Sequence, residues 1–202
     1  MARVIKALVF DLDGVLIDSE QVWDEVRESY AGENGGRWHA DAQTDMMGMN
    51  SREWSRYMHD EIGLRQSPEE ISQQVADRVA DVYRLKLPLL PGAVETVQRL
   101  AERWPLGVAS SSNRPVIDLV LELAGLTTCF AVTVSAEEVR HGKPRCAAIE
   151  DSQNGILSAA SAGMLVIAIP NRRYPPSPKA LGAAALVLDS LSDLTPATVE
   201  SL

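Results

Sequence analysis

The chain is poor in cysteine, in histidine, in aromatic residues and in positive charge. Cys129 and Cys146 are its only cysteines, and they form neither a CxxC pair nor any other metal-ligand spacing. That argues against a disulfide framework or a thiolate zinc site. Both lie in apolar runs and read as small core residues of a reducing compartment. His39, His59 and His141 are scattered without ligand spacing. Aromatic residues make up 5% of the chain, and the formal charge is -9, a balance that disfavours contact with a nucleic-acid backbone. No apolar run approaches the roughly 20 residues that a membrane helix needs. The apolar run at the N-terminus is short and ends in two aspartates rather than a signal-peptide cleavage site. The expectation is a cytoplasmic protein, a monomer or weak dimer, with no nucleic-acid or membrane partner.

What is present suits an α/β fold. At 202 residues and 46% hydrophobic, the chain has room for one core domain and a small insertion. Apolar, β-rich runs predict strands over 4–10, 106–109, 130–134, 146–150 and 165–169, with a weaker one over 185–188. Helical spacing fills most of the gaps. Ala93, Val94, Val97 and Leu100 follow Pro91 at a helix period. The helical runs over 116–123 and 154–162 stop at Gly125 and Gly163. Alternating strands and helices predict a parallel sheet covered on both faces, with ligands at the C-terminal strand ends. Residues 18–88 break the rhythm with three helical stretches, 19–30, 51–62 and 68–85, the last opened by Ser67-Pro68-Glu69-Glu70. The division expected is a core of 1–17 and 89–202 with a helical cap over 18–88, joined through 16–18 and 86–91.

The chemistry concentrates at strand ends. Val9-Phe10 runs straight into Asp11-Leu12-Asp13-Gly14. In extended backbone, residues i and i+2 share a face, so both carboxylates meet at one sheet edge. Adjacent carboxylates repel unless a cation or a shared proton relieves them, and Mg²⁺ is the usual relief. An exposed turn is the plain alternative. Cys146–Ile149 ends in the same way, at Glu150 and Asp151, although Asp151 or Ser152 also suits a helix N-cap. Ser110-Ser111-Ser112-Asn113 follows another strand. It reads either as a set of phosphate-binding hydroxyls and amides or as a polar turn before a helix.

Four segments in order, Asp11-Leu12-Asp13-Gly14-Val15, Val108 to Asn113, Gly142-Lys143-Pro144 and Ile149 to Ile156, together resemble the haloacid dehalogenase superfamily of aspartate-nucleophile phosphohydrolases. The likeness is nearest to its β-phosphoglucomutase-like subgroup with a helical cap. The resemblance implies a Rossmann-like core, Mg²⁺ as cofactor and a small phosphorylated metabolite as substrate, a sugar or polyol phosphate. It implies Asp11 as nucleophile, Asp13 as general acid and base, Ser110 as phosphate holder and Lys143 as countercharge. Asp11, the Asp13 carbonyl and Asp151 are the implied metal ligands, with Glu150 beside them or one shell out. Ser111, Ser112 and Asn113 are the further substrate contacts expected. Arg52 in the cap either meets a second anionic group or is solvated. Trp23 stands where mutases of the subgroup carry a histidine. The absence of lysine between Lys6 and Lys86 removes a Schiff-base route to phosphonate cleavage.

One departure is large. The family has a helix and a loop between its Lys-Pro motif and the next strand, whereas here Pro144 is followed almost at once by Arg145-Cys146. A parallel crossover takes a dozen or more residues. The connection therefore reads as truncated, with Lys143 tethered near the wrong edge of the sheet. Val132, Val134, Ala147 and Ile149 are expected to lose cover. Phosphatase is the leading reading. A sugar-phosphate mutase and an impaired domain that binds a phosphorylated ligand or a protein are the alternatives.

Overall fold

The computed structural model describes residues 5–46, 49–135, 138 and 147–202. Lys143 and Cys146 lie outside these described residues. Six strands, β1 (Leu8–Phe10), β2 (Leu106–Ser110), β3 (Phe130–Ser135), β4 (Ala147–Glu150), β5 (Leu165–Ala168) and β6 (Leu186–Val187), form one sheet in the order β3-β2-β1-β4-β5-β6. Every pairing is parallel. Each run expected to be a strand forms one, and β1 is shorter than its apolar run. The Leu8 amide donates to the Pro105 carbonyl, and proline has no N–H to extend the ladder below it.

β1 lies in the middle, with Leu8 beside Leu106 on one side and Ala147 on the other. The chain builds outward from β1 through β2 to β3, then returns to start β4 on β1's other flank. The crevice where strand order reverses is thus at the β1/β4 edge, the ordinary ligand position in such sheets.

The helices are α1 (Glu20–Glu33), α2 (Ala42–Met46), α3 (Ser51–Asp60), α4 (Pro68–Leu85), α5 (Ala93–Ala101), α6 (Arg114–Leu123), α7 (Gln153–Ser161), α8 (Pro178–Leu181) and α9 (Pro196–Glu200). α3 and α4 open with reciprocal capping boxes, Asn50 with Glu53 and Ser67 with Glu70. The described residues between β1 and α5 hold helices and no strand of the sheet. The two ends of this insertion are hydrogen-bonded to each other: the Asp18 amide donates to the Pro88 carbonyl at 2.8 Å and the Leu90 amide to the Leu16 carbonyl at 3.0 Å. One apolar cluster runs from the sheet (Leu8, Phe10, Ile149) into the insertion (Trp54, Met58, Val79). No described helix is long and apolar enough to cross a membrane.

The sheet's two faces are covered unequally. Phe10 and Ile149 point into the main core, while Ala148 and Val166 point to a smaller cluster under α7 and α8. β3 ends at Ser135 and β4 begins at Ala147, with only residue 138 described between them. The expected loss of cover is correct for Val132, which is 56% exposed, and for half-buried Val134. It is wrong for Ala147 and Ile149, which are fully buried. Alternation along a strand decides this: Val132 shares a face with Gly107 and Val9, whereas Ala147 and Ile149 point to the opposite, packed face.

Candidate active site

Just beyond β1, the Asp11 amide donates to the Ile149 carbonyl at 3.0 Å, which keeps Asp11 in line with β4. The chain then turns sharply. Leu16 N–H donates to the Leu12 carbonyl, and Gly14 N–H donates to the Ile17 carbonyl, both at 2.8 Å. Leu12 is buried on one side of this turn. Gly14 has φ +73°, and a Cβ there would lie 2.0 Å from Asp151 Oδ2. Glycine is required twice over, for the left-handed backbone and for the close approach of the Asp151 carboxylate.

Asp13 is held from the end of β2. Ser112 Oγ donates to Asp13 Oδ2 at 2.6 Å, and Ser110 Oγ donates to the same oxygen at 3.2 Å. The Ser112 amide in turn donates to Ser110 Oγ at 3.0 Å. Ser110, expected to hold phosphate, is directed at Asp13 here, and it is Ser111 and Ser112 that line the cavity. Asn113 Nδ2 donates to Ser72 Oγ at 3.0 Å, which joins this loop to α4 of the insertion.

Acid accumulates at the β1/β4 edge. Burial is the largest influence on Asp11, followed by the charges of Glu150, Asp151 and Asp13, and together they hold its carboxyl well above the ordinary range. The Leu12 amide, donating to Asp11 Oδ1 at 2.7 Å, opposes them. Burial and then Asp151 push Glu150 up to about 8, against a hydrogen bond with Asp11. Burial raises Asp151 to about 7, with Glu20 and Asp13 adding to it and Asn171 opposing. Glu150 does not line the cavity; it packs behind Asp11, with Oε2 so close to α7 that a Cβ on Gly155 would lie 1.9 Å away.

The chemistry of this donor set fits a hard divalent cation. No lysine or arginine among the described residues forms an ion pair with Asp11, Asp13, Glu150 or Asp151. Asp13 Oδ1 and Glu150 Oε2 are buried without a hydrogen-bond partner. A cation with oxygen ligands would relieve the repulsion among these acids. Among the described residues no group of three or more His, Cys, Asp or Glu side chains has metal-holding geometry, so main-chain or solvent oxygen has to complete a cation's shell.

A cavity of about 120 Å³ lies over these acids. Its floor is Asp11, Asp13, Ser111, Ser112, Asp151 and Ser152, and its roof comes from the insertion, including Trp23, Arg27 and Trp54. Arg52 is exposed at the start of α3 and does not line it. Sequence reasoning missed Glu20, Asp24, Arg27, Trp54 and Tyr174, all of which do. One signal was available: Glu20, Trp23, Asp24 and Arg27 fall at i, i+3, i+4 and i+7, a single face of α1 directly after the acidic turn.

Comparison with known proteins agrees with this geometry. A family model for haloacid dehalogenase-like hydrolases matches residues 5–145. Hexitol phosphatase B of Escherichia coli is 29% identical over 229 residues, covering 96% of each chain. That alignment is longer than the 202 residues here, so the relative carries segments that this chain lacks. The phosphorylated carbohydrates phosphatase of Thermotoga maritima is 26% identical, covering 79% of this chain and 82% of its own. Among solved structures, CbbY from Rhodobacter sphaeroides superposes with a TM-score of 0.85 at 20% identity, covering 98% of this chain and all of that one.

Proposed function

Because the chain belongs to the haloacid dehalogenase-like hydrolases, we propose that it is a Mg²⁺-dependent phosphatase of a small sugar or polyol phosphate. The observation that carries this reading is the pairing of Asp11 with a second aspartate, Asp13, which Ser110 and Ser112 hold beside it at the floor of one cavity. A carbon–halogen hydrolase has no need of that second acid, since a halide leaves without a proton.

Asp11 Oδ attacks phosphorus, and its new O–P bond forms as the bond to the leaving oxygen breaks. Asp13, carrying a proton, delivers it to that oxygen. It then accepts a proton from a water that attacks the aspartyl-phosphate. The Asp11–phosphorus bond breaks, and phosphate and free Asp11 result. Ser110 and Ser112 orient Asp13 through both steps, and Ser111 faces the phosphoryl oxygens. Asp11 and Asp151, with the Asp13 carbonyl, would hold Mg²⁺, and Glu150 supports Asp11 from behind. When bound, Mg²⁺ supplies positive charge to the transferring group. Lys143 is the candidate countercharge from the core. Residues 18–88 act as a cap that roofs the cavity and excludes water.

The test is phosphate release from p-nitrophenyl phosphate with and without Mg²⁺, together with mass spectrometry of the quenched protein. The expected outcome is Mg²⁺-dependent release, a phosphoryl adduct on the peptide that contains Asp11, and loss of at least ~10³-fold in Asp11→Asn, because an amide is no nucleophile. Full activity in Asp11→Asn, or an adduct elsewhere, overturns the assignment.

A further inference from the structure

Arg27 stands out among the cavity's lining residues. It is the only cation among the described ones, against Asp11, Asp13, Glu20, Asp24 and Asp151. Its guanidinium carbon lies 5.0 Å from the Trp23 ring centroid and 4.8 Å from that of Trp54. Both indoles are buried, at 6% and 2% exposure, and they meet edge to face at 5.9 Å. Two aromatic faces fix a planar guanidinium in position.

Such an environment commonly ends in a salt bridge, and here it does not. Asp24 and Asp13 face Arg27 from α1 and from the β1 turn, yet Arg27 forms no ion pair with any described residue. Its Nε is buried without a hydrogen-bond partner. Burial lowers the Arg27 pKa to about 10, so the group stays charged at neutral pH. A half-buried charge with an unmet donor is costly unless something supplies the missing acceptor. The cavity is the open side.

We propose that Arg27, seated in the corner that Trp23 and Trp54 form, is a specificity-determining residue that binds an oxyanion at the end of the substrate remote from the transferred phosphate. This deepens the phosphatase reading and rests on it. A carboxylate would meet the guanidinium fork with two parallel hydrogen bonds, and a second phosphate would do the same. The Trp pair supplies orientation, so lysine is a poor replacement.

The experiment compares substrates that differ in the remote group. D-3-phosphoglycerate (carboxylate) is measured against glycerol 3-phosphate, and fructose 1,6-bisphosphate (second phosphate) against fructose 6-phosphate. The wild type is expected to favour the anionic member of at least one pair in kcat/KM, chiefly through KM. Arg27→Met is expected to cut that preference at least fivefold, with Arg27→Lys intermediate. The pair that responds identifies the oxyanion. A preference that changes less than fivefold, or none in the wild type, overturns the proposal. A second measurement does not need turnover or a folded variant: Trp23 and Trp54 both pack against the guanidinium, so binding of the preferred anion should change wild-type tryptophan fluorescence. No change at saturating phosphoglycerate and bisphosphate overturns the proposal, whereas a change without any hydrolysis overturns the phosphatase reading and leaves Arg27 in place.

Discussion

Gly14 carries a consequence larger than its size. Gly14→Ala places a methyl group 2.0 Å from Asp151 Oδ2 on a backbone with φ +73°, so either the turn or the carboxylate has to shift. A displacement of about 1 Å at a reacting centre costs on the order of 10²-fold in rate. Gly14→Ala should therefore lower kcat/KM by about that factor, and a far-UV circular dichroism spectrum that keeps its wild-type shape separates site damage from unfolding. Asp11, Asp13 and Asp151 are legible in sequence because strand ends fix where their side chains meet. The serines are only half legible. The string shows hydroxyls near an anion site, but not that Ser110 and Ser112 converge on Asp13. Arg27 is illegible as a guanidinium packed on two indoles, because Trp54 reaches it from α3, far along the chain.

Among elements, strands were easier to read than faces. Every strand formed where its apolar run lay, since burial on both sides leaves a continuous hydrophobic signal. α2, α8 and α9 span five, four and five residues, too few turns to show a period. The face error at β4 has a testable form. Ile149 sits in the main core and is fully buried, whereas Val132 is 56% exposed. Ile149→Ala should cost about 2–5 kcal/mol through lost burial and a cavity, and Val132→Ala within about 0.5 kcal/mol. Urea unfolding midpoints at constant slope measure both. Equal costs would mean that the outer face of β3 is covered in solution.

For the whole molecule, the site's charge ties stability to pH. Asp11, Glu150 and Asp151 all have pKa values raised in the folded state, the latter two to about 8 and about 7. Below about pH 4 these groups are protonated whether folded or not, and they oppose folding little. As pH rises the unfolded chain ionises first, so their contribution declines until folded Asp151 and Glu150 ionise, near 7 and near 8. Metal-free protein should lose this part of its stability across that window, and Mg²⁺ should restore it by holding the carboxylates ionised. Melting temperature with and without Mg²⁺ reads the effect directly. The Mg²⁺-induced rise should be larger at about pH 8 than at about pH 5.5, and an equal rise at both would place the cation elsewhere. The central position of β1 bears on how the chain is made. Leu8–Phe10 is synthesised before every other strand, yet its β4 flank stays open until Ala147–Ile149 emerges. The helices between β1 and β2 contact one another, α3 with α4 and α1 with α4, across shorter stretches of chain than separate β1 from β2 or β4, and contacts of shorter span form sooner. On the ribosome the insertion is therefore placed to fold first. The sheet closes around its oldest strand only once β4 is out.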